Sequence, residues 1–86
     1  MVKANFEVGK REKHIILVEV SSFWLRKLKV TVDGREVVNT LWSKRSGGSA
    51  NFSVGEKERH QVEVRVNGYF VPKITLLVDG KIEGSI

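Results

Sequence analysis

The chain of 86 residues contains no cysteine, one proline and one methionine. The lack of cysteine excludes a disulfide framework and any zinc site built from thiolates. Residues 1–5 lack the apolar core of a secretory signal peptide, and no apolar run approaches the length needed to cross a membrane. These absences favour a soluble cytoplasmic protein, and the short length favours a single small domain.

The most informative feature that is present is an internal repeat. Residues 6–37 and 52–83 align without a gap at an offset of 46, and 11 of the 32 aligned positions are identical. Many other positions exchange similar side chains, such as Leu28 for Ile74. A repeat of this length marks a supersecondary unit that cannot bury its own apolar face, whereas two units packed together can.

Both copies alternate apolar and polar residues with period two, which is typical of half-buried β-strands. β-Branched residues dominate these stretches, and no segment keeps a helical period over three turns. One side of each strand should therefore face a core. The residues that we expect there are Val18, Val20, Leu28, Val30 and Val32, with Val64, Val66, Ile74, Leu76 and Val78 in the second copy.

Turn signals divide these stretches into hairpins. Asp33-Gly34 and Asp79-Gly80 predict two-residue type I′ turns, because these residue types tolerate the positive φ angles that such turns require. Asn67-Gly68 is a further turn signal, and there and at the same place in the first copy we expect a three-residue loop with a bulge. That geometry points the following aromatic residues, Trp24 and Phe70, inward.

Each copy is thus predicted to form a four-stranded antiparallel meander. The two tandem meanders should pack as an eight-stranded antiparallel β-sandwich, an all-β fold with approximate two-fold symmetry. The predicted domain is 1–86, with a connecting loop at 43–51. The predicted strands are 5–8, 14–20, 23–32, 35–42, 51–54, 60–66, 69–78 and 81–85.

The net charge of +5 lies entirely in the first half of the chain. Residues 1–46 contain ten Lys/Arg and five Asp/Glu, whereas residues 47–86 contain five of each. Basic side chains beside Phe23 and Trp24 suit a single-stranded nucleic acid or another polyanion, although ordinary solubilising charge on strand faces is the favoured explanation. The basic residues concerned are Lys10, Arg11, Lys13, Arg26, Lys27 and Lys29.

His14 and His60 hold equivalent positions at the start of the second strand of each copy. A metal site would need further ligands, and the nearest carboxylates, Glu12 and Glu58, are expected to be exposed. We expect each imidazole to bond a loop backbone instead. The serines form no nucleophile motif, so we predict no catalytic residue, metal or cofactor.

Ile15 and Leu17 occupy the outward parity of their strand, where the second copy has polar residues. If the first Asp-Gly hairpin pairs Val32 with Arg35, the apolar residues of the following strand face the same side. A contiguous apolar patch of this kind marks a site for a protein partner or a second copy, unless another segment covers it. The predicted surface consists of Ile15, Leu17, Val38 and Trp42.

Several short motifs resemble the N-terminal β-sandwich module of Fas apoptotic inhibitory molecule. These are the stretch from Val30 to Glu36, then Trp42 and Gly48, then Phe52-Ser53-Val54-Gly55. They are similar to that module's V-D-G-K/R-E hairpin, its tryptophan eight residues after the glycine, and its F-x-V-G strand. The resemblance covers nearly the whole chain, although members of the family combine two such modules.

The resemblance implies a cytosolic, non-enzymatic protein that acts through protein contacts, in death-receptor signalling and in the restraint of aggregation. It supplies no catalytic residues. Two functions therefore remain open: a protein-interaction module with a protein partner or a homodimer, and a polyanion binder. Neither involves a membrane. A polyanion binder requires aromatic residues exposed on a basic face, whereas the sandwich buries Trp24.

Overall fold

The computed structural model describes residues 2–21, 26–43, 47–68 and 72–85. The first sheet consists, in chain order, of four antiparallel strands, and the second sheet repeats this order. Each strand of the second sheet begins 46 residues after its counterpart, so the predicted all-β fold of two tandem meanders is confirmed. The strands are β1 (Val2–Val8), β2 (His14–Val20), β3 (Lys27–Val32), β4 (Arg35–Leu41), β5 (Gly48–Val54), β6 (His60–Asn67), β7 (Lys73–Val78) and β8 (Lys81–Ser85).

The inner faces of the two sheets share one hydrophobic core. The predicted core residues all belong to this cluster except Val32, which packs against it and is partly exposed. Alternation therefore identified the inward face correctly in β2, β3, β6 and β7. The largest fully buried side chains are Ile16, Leu28, Ile74, Leu76, Val18, Val20, Val30, Val62, Val64 and Val66.

The two Asp-Gly turns have the predicted type I′ geometry. φ is 50° at Asp33 and 84° at Gly34, and it is 52° at Asp79 and 83° at Gly80. Aspartate and glycine tolerate this left-handed region, which matches the right-handed twist of the flanking strands. Each turn therefore fixes the register of the hairpin that it closes.

The predicted three-residue loops after β2 and β6 are wrong. Asn67 continues β6 and pairs with Lys73, so the chain cannot turn at Asn67-Gly68, and the connection spans 68–72. The equivalent connection in the first sheet spans 21–26, so β3 and β7 each begin four residues later than predicted. Trp24 and Phe70, predicted to point inward, lie outside the described residues.

The connection between the sheets is shorter than the predicted loop at 43–51. Ser43 and Gly47 form an antiparallel bridge, and β5 begins directly afterwards at Gly48. A Cβ atom on Gly48 would lie 2.5 Å from the Cβ of Trp42, so this crossing requires glycine. β1 likewise begins earlier than predicted, because its first residue, Val2, already pairs with Val20. None of the described residues belongs to a helix long and apolar enough to cross a membrane.

A β-bulge interrupts β4 three residues after its turn. Val30 pairs with Val38, whereas the next residue, Thr31, pairs with Glu36, so Val37 is the extra residue. The second sheet has the same irregularity at the equivalent place in β8. An extra residue reverses the side to which all later side chains of the strand point.

The bulge overturns two predicted placements. Val32 does pair with Arg35, as expected, but the reversal turns the rest of β4 the other way. Val38 packs against the core instead of facing outward. Trp42 is buried, with 6% of its surface exposed, and its indole N–H donates to the carbonyl of Ser21 at 3.0 Å. Val38 and Trp42 are therefore not part of an outer apolar surface.

Candidate functional site

At one end of the sandwich, each histidine contacts the aspartate of the neighbouring hairpin turn. Nδ1 of His14 lies 2.5 Å from Oδ2 of Asp33, and Nδ1 of His60 lies 2.6 Å from Oδ2 of Asp79. The other oxygen of each aspartate accepts the backbone N–H of the residue after the histidine, at 2.9 Å. The expectation that a loop backbone bonds each imidazole is wrong, because strand pairing places the turn carboxylate beside it.

At this end of the sandwich, a glutamate side chain of each copy binds the loop backbone of the other copy. The Glu58 carboxylate accepts hydrogen bonds from the backbone N–H groups of Lys10, Arg11 and Glu12 at 2.9–3.0 Å. In return, the Glu12 carboxylate accepts the N–H of Glu56 at 2.8 Å and that of Glu58 at 3.4 Å. Each copy thus supplies the anion that fills a nest of amides in the other. These carboxylates were expected to be exposed, but only 28% and 24% of the two side chains is accessible.

Gly9 and Gly55 allow the chain to curl around these carboxylates. Their φ angles are 108° and 96°, which disfavour any residue with a side chain. A Cβ at Gly9 would lie 2.0 Å from the carbonyl oxygen of Glu12, and one at Gly55 would lie 1.9 Å from that of Glu58. The loops are therefore closed too tightly for any residue but glycine.

The electrostatics of this end follow from these contacts. The backbone N–H groups of Glu12 and the two residues before it hold the pKa of Glu58 at about 2. The hydrogen bond from the Glu56 N–H likewise lowers the pKa of Glu12. The pKa of His14 is raised, first by its contact with Asp33 and then by Glu12, and the equivalent contacts raise the pKa of His60.

Each imidazole therefore lies between two carboxylates. Nε2 of His14 is 3.5 Å from Glu12, and Nε2 of His60 is 3.4 Å from Glu58. We call the six side chains the carboxylate–histidine cluster. The cluster connects a turn and a strand of one copy to a loop of the other. No three His, Asp or Glu side chains in the described ranges are arranged to hold a metal ion. The members of the cluster are Glu12, His14, Asp33, Glu58, His60 and Asp79.

Two clefts flank the cluster and are related by the repeat. The larger, of about 540 Å³, lies between His14 of the first copy and residues 53–56 of the second. The smaller, of about 290 Å³, lies between His60 and residues 7–10. Charged residues from both copies line each cleft, so a molecule bound there would contact both sheets.

Part of the predicted outer surface does face solvent. Ile15 is 49% exposed, and Leu17, two residues along β2, is partly exposed on the same side. Leu17 lies between Asn5 of β1 and Thr31 of β3, and Ile15 lies beside Glu7. We call Ile15, Leu17 and Thr31 the Ile15–Leu17 surface, which is a small apolar patch with polar neighbours.

The outer face of the second sheet was expected to be polar, and this is only partly so. Gln61 and Glu63 occupy the positions of Ile15 and Leu17 in the first sheet. However, Leu77 lies opposite Glu63 with only 9% of its surface exposed, and its neighbour across the hairpin, Ile82, is 70% exposed. The two outer faces therefore differ on β2 and β6 rather than over their whole extent.

The six basic residues do not form one patch. Three lie in the β1–β2 loop and two lie at the other end of the first sheet, roughly 20 Å away along β2. The sixth lies mid-sheet, 3.9 Å from Glu36. Phe23 and Trp24, the proposed stacking residues, lie outside the described ranges. The three groups are Lys10, Arg11 and Lys13; Arg26 and Lys27; and Lys29.

Comparison with known proteins gives no assignment, since no family model, curated protein or solved structure matches this chain. Function must therefore be argued from the residues themselves. Sequence reasoning missed the exchange of Glu12 and Glu58, although their identity in the two copies was a usable signal. What the sequence does not show is that each carboxylate binds the opposite copy rather than its own.

Proposed function

We propose that this chain is a non-enzymatic protein-interaction module whose binding site is the Ile15–Leu17 surface. The observation that carries the proposal is the exposure of Ile15, 49%, beside the partly exposed Leu17. The second sheet has Gln61 and Glu63 at these positions, so the backbone does not require apolar residues there. Apolar side chains on a solvent-facing strand, surrounded by polar ones, have the anatomy of a protein interface.

The resemblance to the module of Fas apoptotic inhibitory molecule supports the same proposal. Proteins of that family act in the cytosol through protein contacts, and this chain has the β-sandwich fold that the resemblance implies. The cytoplasm is accordingly the proposed location. The polyanion alternative receives less support, because its six basic residues do not form one patch on the first sheet.

A single charged substitution tests the proposal. Leu17→Glu should leave the fold intact, because Glu63 already occupies the equivalent position in the second sheet. Leu41→Glu is the matched control: it makes the same change on the same sheet, but Leu41 is 64% exposed and lies beside Lys27, away from the patch. Capture of proteins from lysate by the immobilised chain should fall at least fivefold for Leu17→Glu alone.

Two results would argue against this assignment. Equal capture by both variants would show that the Ile15–Leu17 surface is not the binding site. Oligonucleotide binding that weakens steeply with salt, survives Leu17→Glu and is lost on charge reversal of Lys10, Arg11 and Lys13 would favour the polyanion function instead. Circular dichroism of each variant checks that the fold is retained.

A further inference from the structure

The four edge strands differ in how they are protected from pairing with another chain. β1, β4, β5 and β8 each lie at the edge of a sheet, where alternate N–H and C=O groups point away from the sheet. Charges, prolines and bulges commonly block such edges. β4 and β8 each contain a bulge, and β1 carries the exposed charges of Lys3 and Glu7.

β5 has none of these features. The strand Gly48–Val54 contains no charged residue and no proline, and it pairs with β6 without a register shift. It differs from β1 at three of seven positions, and two of these replace a charge by serine: Ser49 for Lys3 and Ser53 for Glu7. The same edge backbone is therefore protected by charges from pairing with another chain in the first copy, and lacks that protection in the second copy.

We propose that β5 pairs antiparallel with β5 of a second copy, so that the second sheets of two chains form one eight-stranded sheet. One register pairs all seven residues, and it places Asn51 opposite its own counterpart. In that register Ala50 lies opposite Phe52, a small side chain against a large one, and Ser49 lies opposite Ser53. The strand is thus complementary to itself on both faces.

A second copy fits this edge better than a charged partner does, because pairing β5 with itself removes no charge from water. The two-fold arrangement also closes on itself and leaves no β5 edge free for further addition. In the equivalent pairing of β1, Lys3 would lie opposite Glu7 of the second copy, but Glu7 already contacts Lys13 of its own chain at 3.4 Å. The contact is separate from the Ile15–Leu17 surface, which lies on the outer face of the other sheet.

Cysteine crosslinking tests both the contact and its register, since the chain has no cysteine of its own. Directly opposite residues in an antiparallel pair have Cα atoms about 4.5–5.5 Å apart, which a disulfide can span. Asn51→Cys should therefore form a covalent dimer under mild oxidation. Asn5→Cys, the same position in β1, is the matched control and should crosslink at least tenfold more slowly.

Ser49→Cys separates this register from others, because its thiol would lie about 13 Å from its counterpart, four residues along the strand. Asn51→Lys gives a second measurement without a new thiol, because it places two like charges opposite each other at the two-fold axis. It should weaken dimerisation about fivefold in sedimentation equilibrium, whereas Asn5→Lys should leave dimerisation unchanged. Leu17→Glu should leave crosslinking at position 51 unchanged, which keeps this test independent of the proposed binding site.

Four results would overturn the inference. The first is equal crosslinking of Asn51→Cys and Asn5→Cys. The second is faster crosslinking at position 49 than at position 51, which would exclude the register. The third is a wild-type chain that stays monomeric up to its solubility limit. The fourth is an Asn51→Cys chain that crosslinks to other proteins in lysate but not to itself.

Discussion

Truncation of Leu76 to alanine tests whether the core between the sheets holds this protein together. Leu76 is completely buried and belongs to the cluster shared by both sheets. The substitution removes three carbon atoms, which corresponds to a loss of roughly 2.4 kcal/mol in transfer free energy. The cavity that remains adds to this, so we expect a total loss of about 3–4 kcal/mol in the free energy of unfolding.

The adjacent residue provides a matched control. Leu77 is nearly as well covered, with 9% exposed, but it points to the outer face and lies outside the shared cluster. The transfer free energy lost is nearly the same as at Leu76, but neighbouring side chains on a solvent-facing surface can relax into the space, so Leu77→Ala should cost only about 2 kcal/mol. The two variants differ by one position along the same strand, so β-propensity and chain entropy are closely matched.

Urea titration followed by circular dichroism measures both values. A chain of this length has a total stability of about 4–13 kcal/mol, so Leu76→Ala should remove a large part of it and lower the midpoint of thermal unfolding by roughly 12–32 °C. A larger loss for Leu77→Ala than for Leu76→Ala would show that Leu77 and not Leu76 faces the shared core, and that the inward side of β7 is wrongly assigned.

Two further predictions concern pH and the contact between sheet edges. The pKa of each histidine is raised from 6.5, so its contribution to stability is complete below about pH 6.5 and is lost as the pH rises through the pKa of the folded state. The pKa of Glu58 is lowered from 4.5 to about 2, so its contribution is complete above pH 4.5 and is lost as the pH falls towards 2. The free energy of unfolding measured in urea should therefore be greatest between about pH 4.5 and pH 6.5. The double variant His14→Gln/His60→Gln should no longer lose stability as the pH rises above this range. If it loses as much as the wild type does, the histidines are excluded as the cause. At the contact between β1 and β8, a Cβ on Gly84 would lie 2.5 Å from the Phe6 ring. Gly84→Ala should therefore lower the free energy of unfolding by about 1–3 kcal/mol, and the smaller side chain of Phe6→Leu should reduce this loss. Additive effects of the two substitutions in a double-mutant cycle would rule out the clash.

The sequence predicted those features that depend on residues close together in the chain. Alternation assigned the inward side of Val18 and Leu76, and the residue types of Asp33-Gly34 determined a turn with positive φ. The bulge at Val37 has no such mark, because no glycine or proline stands there, and it reversed the side assigned to Trp42. A one-residue irregularity is enough to move a whole strand segment from the surface to the core.

The exchange of Glu12 and Glu58 between the copies could not be predicted in the same way, because its hydrogen bonds join residues more than forty positions apart. The identity of Glu12 and Glu58 shows that both copies need a carboxylate, but not which amides bind it. That information depends on how the two loops face each other across the pseudo-two-fold axis. Sequence alone therefore identified the residues at this end of the sandwich and missed their partners.

The repeat also separates the residues that build the fold from those that distinguish its two halves. Two positions that are identical in both copies, Glu12 and Glu58, make the hydrogen bonds that join one copy to the other. The differences that matter are on accessible strands. The first sheet has apolar Leu17 on its face and charged edges, whereas the second has Glu63 on its face and an uncharged edge at β5. Duplication alone would give both sheets the same surfaces. These opposite changes are therefore the basis of the two contacts that we propose: the face of the first sheet for a protein partner, and the edge of the second for another copy of the chain.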